Sequence, residues 1–131
     1  MTWPALFGVF LLCHLFGDFL LQTDWQASNK QRGLRDGGEH LRALCSHALI
    51  YTLAFLPALI WIGIESGALV AVAVAAGIGV PHAIVDDGAP VSKWIRRIKH
   101  VHDTPSTVVR LGVDQSSHVL ALALVAYLVT G

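Results

Sequence analysis

Four apolar stretches dominate the chain: Pro4 to Gln22, Leu41 to Ile64, Gly67 to Asp86 and Leu111 to Thr130. Each approaches the ~20 residues with which an α-helix crosses roughly 30 Å of hydrocarbon. Inside a bilayer the backbone polar groups must pair within their own segment, so each stretch is expected to be a helix. Almost nothing is left over for a soluble domain. With 131 residues, 54% hydrophobic and 14% charged, and a mean hydropathy of +0.59, the composition agrees. The expected fold is all-α, a four-helix transmembrane bundle forming one domain over residues 1–131. No Lys or Arg precedes the first stretch, and no small-residue cleavage site follows within reach of Gln22. The first stretch is therefore expected to stay as a helix, not to be removed as a signal peptide. Trp3, Trp25 and Trp61 stand at stretch ends, where aromatic belts form.

The formal net charge is zero, which hides a strong segregation. All nine Lys and Arg residues lie in or beside two connections. Lys30, Arg32, Arg35 and Arg42 belong to the first, and Lys93, Arg96, Arg97, Lys99 and Arg110 to the third. The second connection, around Glu65, has none. The positive-inside rule then predicts two basic connectors in the cytoplasm, with both termini and the Glu65 turn outside. No nucleic-acid partner is expected; the bilayer itself is.

Every apolar stretch carries one histidine, and three of the four have an aspartate four residues away: His14/Asp18, His82/Asp86 and Asp114/His118, with His47 alone. That spacing puts both side chains on one helix face, about one turn apart. In the predicted topology His14 and His82 come late in inward-running helices, while His47 and His118 come early in outward-running ones. All four thus fall at one depth, in the cytoplasmic half. The order reverses in the last pair, which keeps every Asp one turn nearer the cytoplasm. A histidine layer with an aspartate layer beneath it is expected.

Ionisable groups within apolar helices are costly and usually serve a site. Converging imidazoles and carboxylates are metal-ligand chemistry. His14, Asp18, His47, His82, Asp86, Asp114 and His118 are therefore the candidate ligands of a divalent ion. Seven donors exceed the needs of one tetrahedral zinc, so one or two ions are expected; manganese and iron accept the same donors. Gln22, four residues beyond Asp18, Tyr51, four beyond His47, and Gln115, beside Asp114, are candidate hydrogen-bond partners of those ligands. Lys30, Lys93, Arg96 and Arg97 are candidate contacts for a phosphate-bearing or lipid substrate, their other role being topology and anionic-lipid contact.

Several features carry less. His40, His100 and His102 read as solvated connector residues. Cys13 and Cys45 read as small packing residues, with a soft-ligand role as the alternative. The third stretch is rich in Ala, Gly and Val, and Ala71, Ala75 and Gly79 would let a neighbouring helix approach, or support a homodimer. Pro57 and Pro81 predict kinks.

The set HLFGDFLLQTDW (His14 to Trp25), Lys30, HALIY (His47 to Tyr51), HAIVD (His82 to Asp86) and DQSSH (Asp114 to His118) resembles the domain of unknown function 3307 family. That is a family of small bacterial and phage membrane proteins, and the likeness covers nearly the whole chain. It implies a multi-pass protein of the bacterial inner membrane in which these residues are prominent; it does not imply a reaction. The His/Asp helices are also similar in style to membrane-bound metal-dependent hydrolases.

The leading functional expectation is a metal-dependent hydrolase open to the cytoplasm, with Asp18, Asp86 or Asp114 bridging or acting as general base. The alternatives are a metal-ion or proton transporter, a haem-binding electron carrier, and a membrane partner protein without chemistry. Against transport, the outer half of every helix is nearly all apolar.

Overall fold

The computed structural model describes Met1 to Gly131 and contains helices and no strands. Helix α1 (Trp3–Leu15) starts on Pro4, whose missing N–H is harmless in a first turn. It runs directly into a π-helical turn, Phe16–Leu20. Two short helices, α2 (Asp24–Asn29) and α3 (Gly33–Asp36), fill the first connector. Thr23 and Gln26 form a reciprocal capping box that starts α2. The second stretch is α4 (Gly38–Ala54) followed by α5 (Leu56–Ser66). The third is α6 (Ala68–Asp86), the basic connector contains α7 (Ala89–Ile98), and the last is α8 (Thr107–Thr130), capped by Ser106.

Three helical segments are long and apolar enough to cross a membrane, and the α4–α5 pair makes a fourth if it counts as one span. Three of the four expected spans are thus present as single apolar helices and the second as a bent pair, with shifted boundaries. The second begins earlier, at Gly38, and bends by 55° at Phe55. The proline ring at 57 would strike the carbonyl four residues earlier and offers no N–H, so the helix breaks there. The last span begins at Thr107, four residues before its apolar run, because the Ser106 hydroxyl accepts from the Val109 N–H and sets the start. The basic connectors are also largely helical.

One end of the bundle is closed by Glu65. Its carboxylate pairs with the Met1 ammonium at 3.1 Å and accepts from the Trp61 indole N–H at 2.7 Å. The Trp3 indole donates to the Ala123 carbonyl nearby. The N-terminus and the Glu65 turn therefore share one end, and the basic connectors occupy the other. The end towards Glu65 holds the apolar core, which includes Leu6, Phe10, Phe55, Ile62, Ile78 and Leu122. Outward faces are also apolar, as at Leu12, Leu49, Leu69, Leu120 and Leu128. Contact with lipid tails makes such a surface neutral where water would not.

The Ala71, Ala75 and Gly79 face is used within the chain. A Cβ at Gly63 would touch Ala71, and one at Gly79 would lie 2.6 Å from the Thr52 hydroxyl. Small residues here bring α6 close to α4 and α5.

Candidate metal centre

The four histidines converge. Ring centroids are 5.5 Å apart for His14 and His118, 4.5 Å for His118 and His82, and 5.0 Å for His82 and His47. All four are buried, as are Asp18 and Asp86. The direct ring contacts leave no slot for a macrocycle between facing imidazoles.

The tightest grouping has four donor atoms. His47 Nε2 lies 3.0 Å from Asp86 Oδ2, 3.1 Å from His82 Nε2 and 3.1 Å from Asp18 Oδ1. His82 Nε2 lies 3.1 Å from Asp86 Oδ2 and 4.0 Å from Asp18 Oδ1. A tetrahedron with bonds of the zinc–nitrogen or zinc–oxygen length has edges of about 3.3–3.5 Å. The cluster therefore has the dimensions of a coordination sphere, with a compact triangle (His47, His82, Asp86) and a looser fourth corner (Asp18). Hydrogen bonding alone accounts poorly for it: His47 Nε2 has at most one proton and faces three acceptors, while His47 Nδ1 is buried with no partner. This buried His/Asp cluster could hold a metal ion.

A second grouping joins Asp18 and Asp114 to His118. His118 Nε2 is 3.3 Å from Asp86 Oδ1 and 3.7 Å from Asp114 Oδ2. Asp86 thus faces His47 and His82 with one oxygen and His118 with the other.

His14 stands outside both groupings. Its Nε2 meets the Gln115 amide oxygen at 2.9 Å, and its Nδ1 meets the Tyr51 hydroxyl at 2.9 Å. An amide oxygen only accepts, so the pattern assigns the proton to Nε2 and makes Nδ1 the acceptor from Tyr51. Both nitrogens are occupied, and His14 supports the site instead of facing its centre. A π-helical turn follows His14 and carries Asp18. The Leu21 N–H bonds to the Phe16 carbonyl, five residues back. The widened turn contains Asp18, and the Gln115 amide bridges the two residues, accepting from His14 and donating to Asp18, while Asp18 alone also reaches His47. Such turns are frequent at functional sites.

The three candidate partner residues all touch the cluster. Tyr51 stacks on His82 with centroids 3.4 Å apart and planes at 3°. The Gln115 amide donates to Asp18 at 2.8 Å and to Asp114 at 3.2 Å. With its amide turned to satisfy both neighbours, Gln22 donates to the Asp18 carbonyl at 2.9 Å and accepts from Lys30 at 3.1 Å.

Lys30 is the surprise. Its connector position pointed to a substrate contact, yet its ammonium reaches inward to Asp86 Oδ2 at 2.8 Å, with Asp18 Oδ1 at 4.0 Å. A sequence signal for this existed. The four-residue register of His14, Asp18 and Gln22 continues through Gln26 to Lys30, and Gln26 is itself buried against Ser46. His40 likewise is no free loop residue, since it bonds the Asn29 carbonyl at 2.7 Å. His100 and His102 are exposed. Of the two cysteines, Cys13 packs against the apolar core and Cys45 is exposed; both are free thiols.

A vestibule of about 270 Å³ opens to the cluster from the connector end, lined by Asp18, Lys30, Asp86, Arg110 and Asp114 among others. Lys93, Arg96 and Arg97 stand outside it, around a separate cleft on the same end.

Fold and site together define a helical bundle, with three to four helical segments long and apolar enough to span a membrane, built around a buried His/Asp cluster that could hold a metal ion. Residues 6–131 match the family described as Protein of unknown function (DUF3307), and the chain belongs to that family. No curated protein and no solved structure matches the chain.

Proposed function

We propose that the protein is a metal-dependent hydrolase of the bacterial inner membrane, with its centre opening to the cytoplasm. The observation that carries this reading is the compact spacing of donor atoms from His47, His82 and Asp86, with Asp18 at a looser fourth corner. The compact triangle of His47, His82 and Asp86 is a two-histidine, one-carboxylate set, the kind that catalytic zinc sites leave open at a fourth position. His47, His82 and Asp86 would hold a divalent cation, which would supply Lewis acidity and lower the pKa of a bound water. Asp18, at the looser corner and on the vestibule wall, is the general base: it accepts a proton from the attacking water while the Gln115 amide holds its other oxygen. Tyr51 and Gln115 fix His14, and through it the packing of the histidine layer.

Charge supports one ion. With three ionised carboxylates and one lysine, the centre carries two net negative charges when its imidazoles are neutral. One divalent cation balances them. Asp18, Asp114 and His118 are where a second would sit. Zinc fits the donor set best, with manganese and iron as the other candidates.

Transport is the weaker reading. Phe10, Ile78 and Leu122 lie one turn beyond His14, His82 and His118 towards the Glu65 end, and all three belong to a buried apolar plug. No polar groups continue through it.

Elemental analysis of detergent-purified protein, before and after chelation, tests the reading. About one equivalent of a divalent metal is expected, removable and restorable. Protein that stays metal-free when offered zinc, manganese and iron would sink it. Metal flux in sealed vesicles would instead establish transport.

A further inference from the structure

A second concavity, about 750 Å³, lies on the connector end beside the vestibule. Three segments that are separate in sequence build it: residues 31–35, helix α7 with the preceding Asp87 and Gly88, and Arg110 of α8. Its charge is one-sided. Arg35, Lys93, Arg96, Arg97 and Arg110 line it, and none has a carboxylate within ion-pair distance. Arg32, also on the wall, is paired with Asp36 at 3.0 Å. Asp87, the one acid there, is buried and accepts from the Leu34 N–H at 2.8 Å.

Topology alone does not call for this. The positive-inside effect needs basic residues in a connector, and they can spread into solvent. Here five cations from distant parts of the chain face one concavity, where they repel one another unless an anion sits between them. Guanidinium groups match phosphate oxygens in a two-point geometry that a lone ammonium lacks. Four of the five are arginines.

The level of the cleft is informative too. Helix α7 buries Val91 and Ile95 and leaves Trp94 and Ile98 exposed, while Lys93, Arg96 and Arg97 face the cleft. A short helix with Trp and Ile on one face and basic residues on another lies in the membrane interface, where headgroups are. The cleft also adjoins the vestibule, since Gln31, Gly88 and Arg110 line both. The wall is thin there. Gly88 has a φ of +83°, and a Cβ on it would come within 3.0 Å of the Arg110 guanidinium.

We propose that this cleft seats the terminal phosphate monoester of a phosphatidic acid headgroup drawn from the leaflet on the connector side, next to the His/Asp centre. Binding stands on the cleft alone; what then happens to the phosphoester rests on the hydrolase reading. In that step the headgroup passes from the cleft into the adjoining vestibule, the oxygen of water bonds to phosphorus and the bond from phosphorus to the ester oxygen breaks. One water proton passes to Asp18 and on to the departing oxygen, and the other stays on the phosphate product.

The experiment uses full-length protein in detergent micelles, titrated with phosphatidic acid or phosphatidylserine and read by native mass spectrometry. The variants are Arg96→Gln with Arg97→Gln, both exposed positions, and His82→Ala. Phosphatidic acid is expected to be retained over phosphatidylserine, and the double variant to lose at least about tenfold, the size of one charge-assisted hydrogen bond. His82→Ala is expected to lose metal and keep the lipid, so the cleft and the metal centre can fail separately. Inorganic pyrophosphate that displaces phosphatidic acid would keep the phosphate cleft and overturn the lipid source. Equal retention of the two lipids, or a double variant that binds as well as the parent, would overturn the proposal.

Discussion

Replacing Lys30 by methionine separates two ways of balancing the buried carboxylates. The Lys30 ammonium is 2.8 Å from Asp86 Oδ2. An ion bonded to that oxygen at about 2.1 Å lies no more than about 4.9 Å from it. A divalent cation and an ammonium at that distance repel by about 1.7 kcal/mol in bulk water and by about 7 kcal/mol at an effective dielectric of 20. Lys30 can swing into the vestibule when the ion arrives, so the smaller figure applies. Lys30→Met should therefore tighten metal binding by roughly 20-fold. The metal-free protein should respond oppositely. Removing one partner of a buried pair leaves Asp86 uncompensated and costs about 3–5 kcal/mol. Calorimetric titration with zinc gives the first quantity, and thermal melting in detergent, with and without metal, gives the second. Opposite signs are the expected outcome: a less stable metal-free protein that metal restores to parental stability or above. If Lys30→Met binds metal no better than the parent, and metal does not raise its melting temperature, then the lysine is the resident counter-charge and the metal reading is wrong.

Other substitutions probe the same geometry. His82→Ala should abolish stoichiometric metal in elemental analysis, whereas His14→Ala should keep the stoichiometry and weaken affinity roughly 10- to 100-fold, as loss of a supporting group does. Tyr51→Phe removes only the hydroxyl bonded to His14 and should weaken affinity within the same range while leaving the stacked ring in place. Phe10→Ala opens a cavity in the buried plug and should cost about 3–5 kcal/mol, visible as a lower melting temperature with unchanged metal content. Gly33→Ala would force a Cβ to within 2.8 Å of the His40 carbonyl and 2.9 Å of the Leu44 side chain, so the first connector should loosen and the protein should melt earlier.

Much of this arrangement was readable from residue spacing. Apolar length gives the candidate spans, their alternating direction puts all four histidines at one level, and the reversal from HxxxD to DxxxH on the last keeps the aspartates on the connector side. Those inferences rest on helical periodicity, which apolar surroundings favour because the backbone polar groups must pair within their own segment. What escaped them depends on departures from it. The π-helical turn at Phe16–Leu20 carries Asp18, and no residue type in FGDFL demands an i to i+5 bond. The inward reach of Lys30 depends on a connector that folds back through α2, a tertiary event with only the His14–Asp18–Gln22–Gln26–Lys30 register as a hint. The start of α8 at Thr107 follows from a cap on Ser106, outside the apolar window. The triangle of His47, His82 and Asp86 needed coordinates, because periodicity sets which face a donor occupies and not the distances across a bundle.

On the proposed reading, the apolar plug makes the molecule a cup and not a pore. Whatever fills the cup, whether metal, water or a molecule to be cut, arrives and departs through the same mouth. Supply and exhaust are then tied to a single compartment. A chelator that cannot cross membranes should strip the protein from one side of a sealed vesicle and be inert on the other.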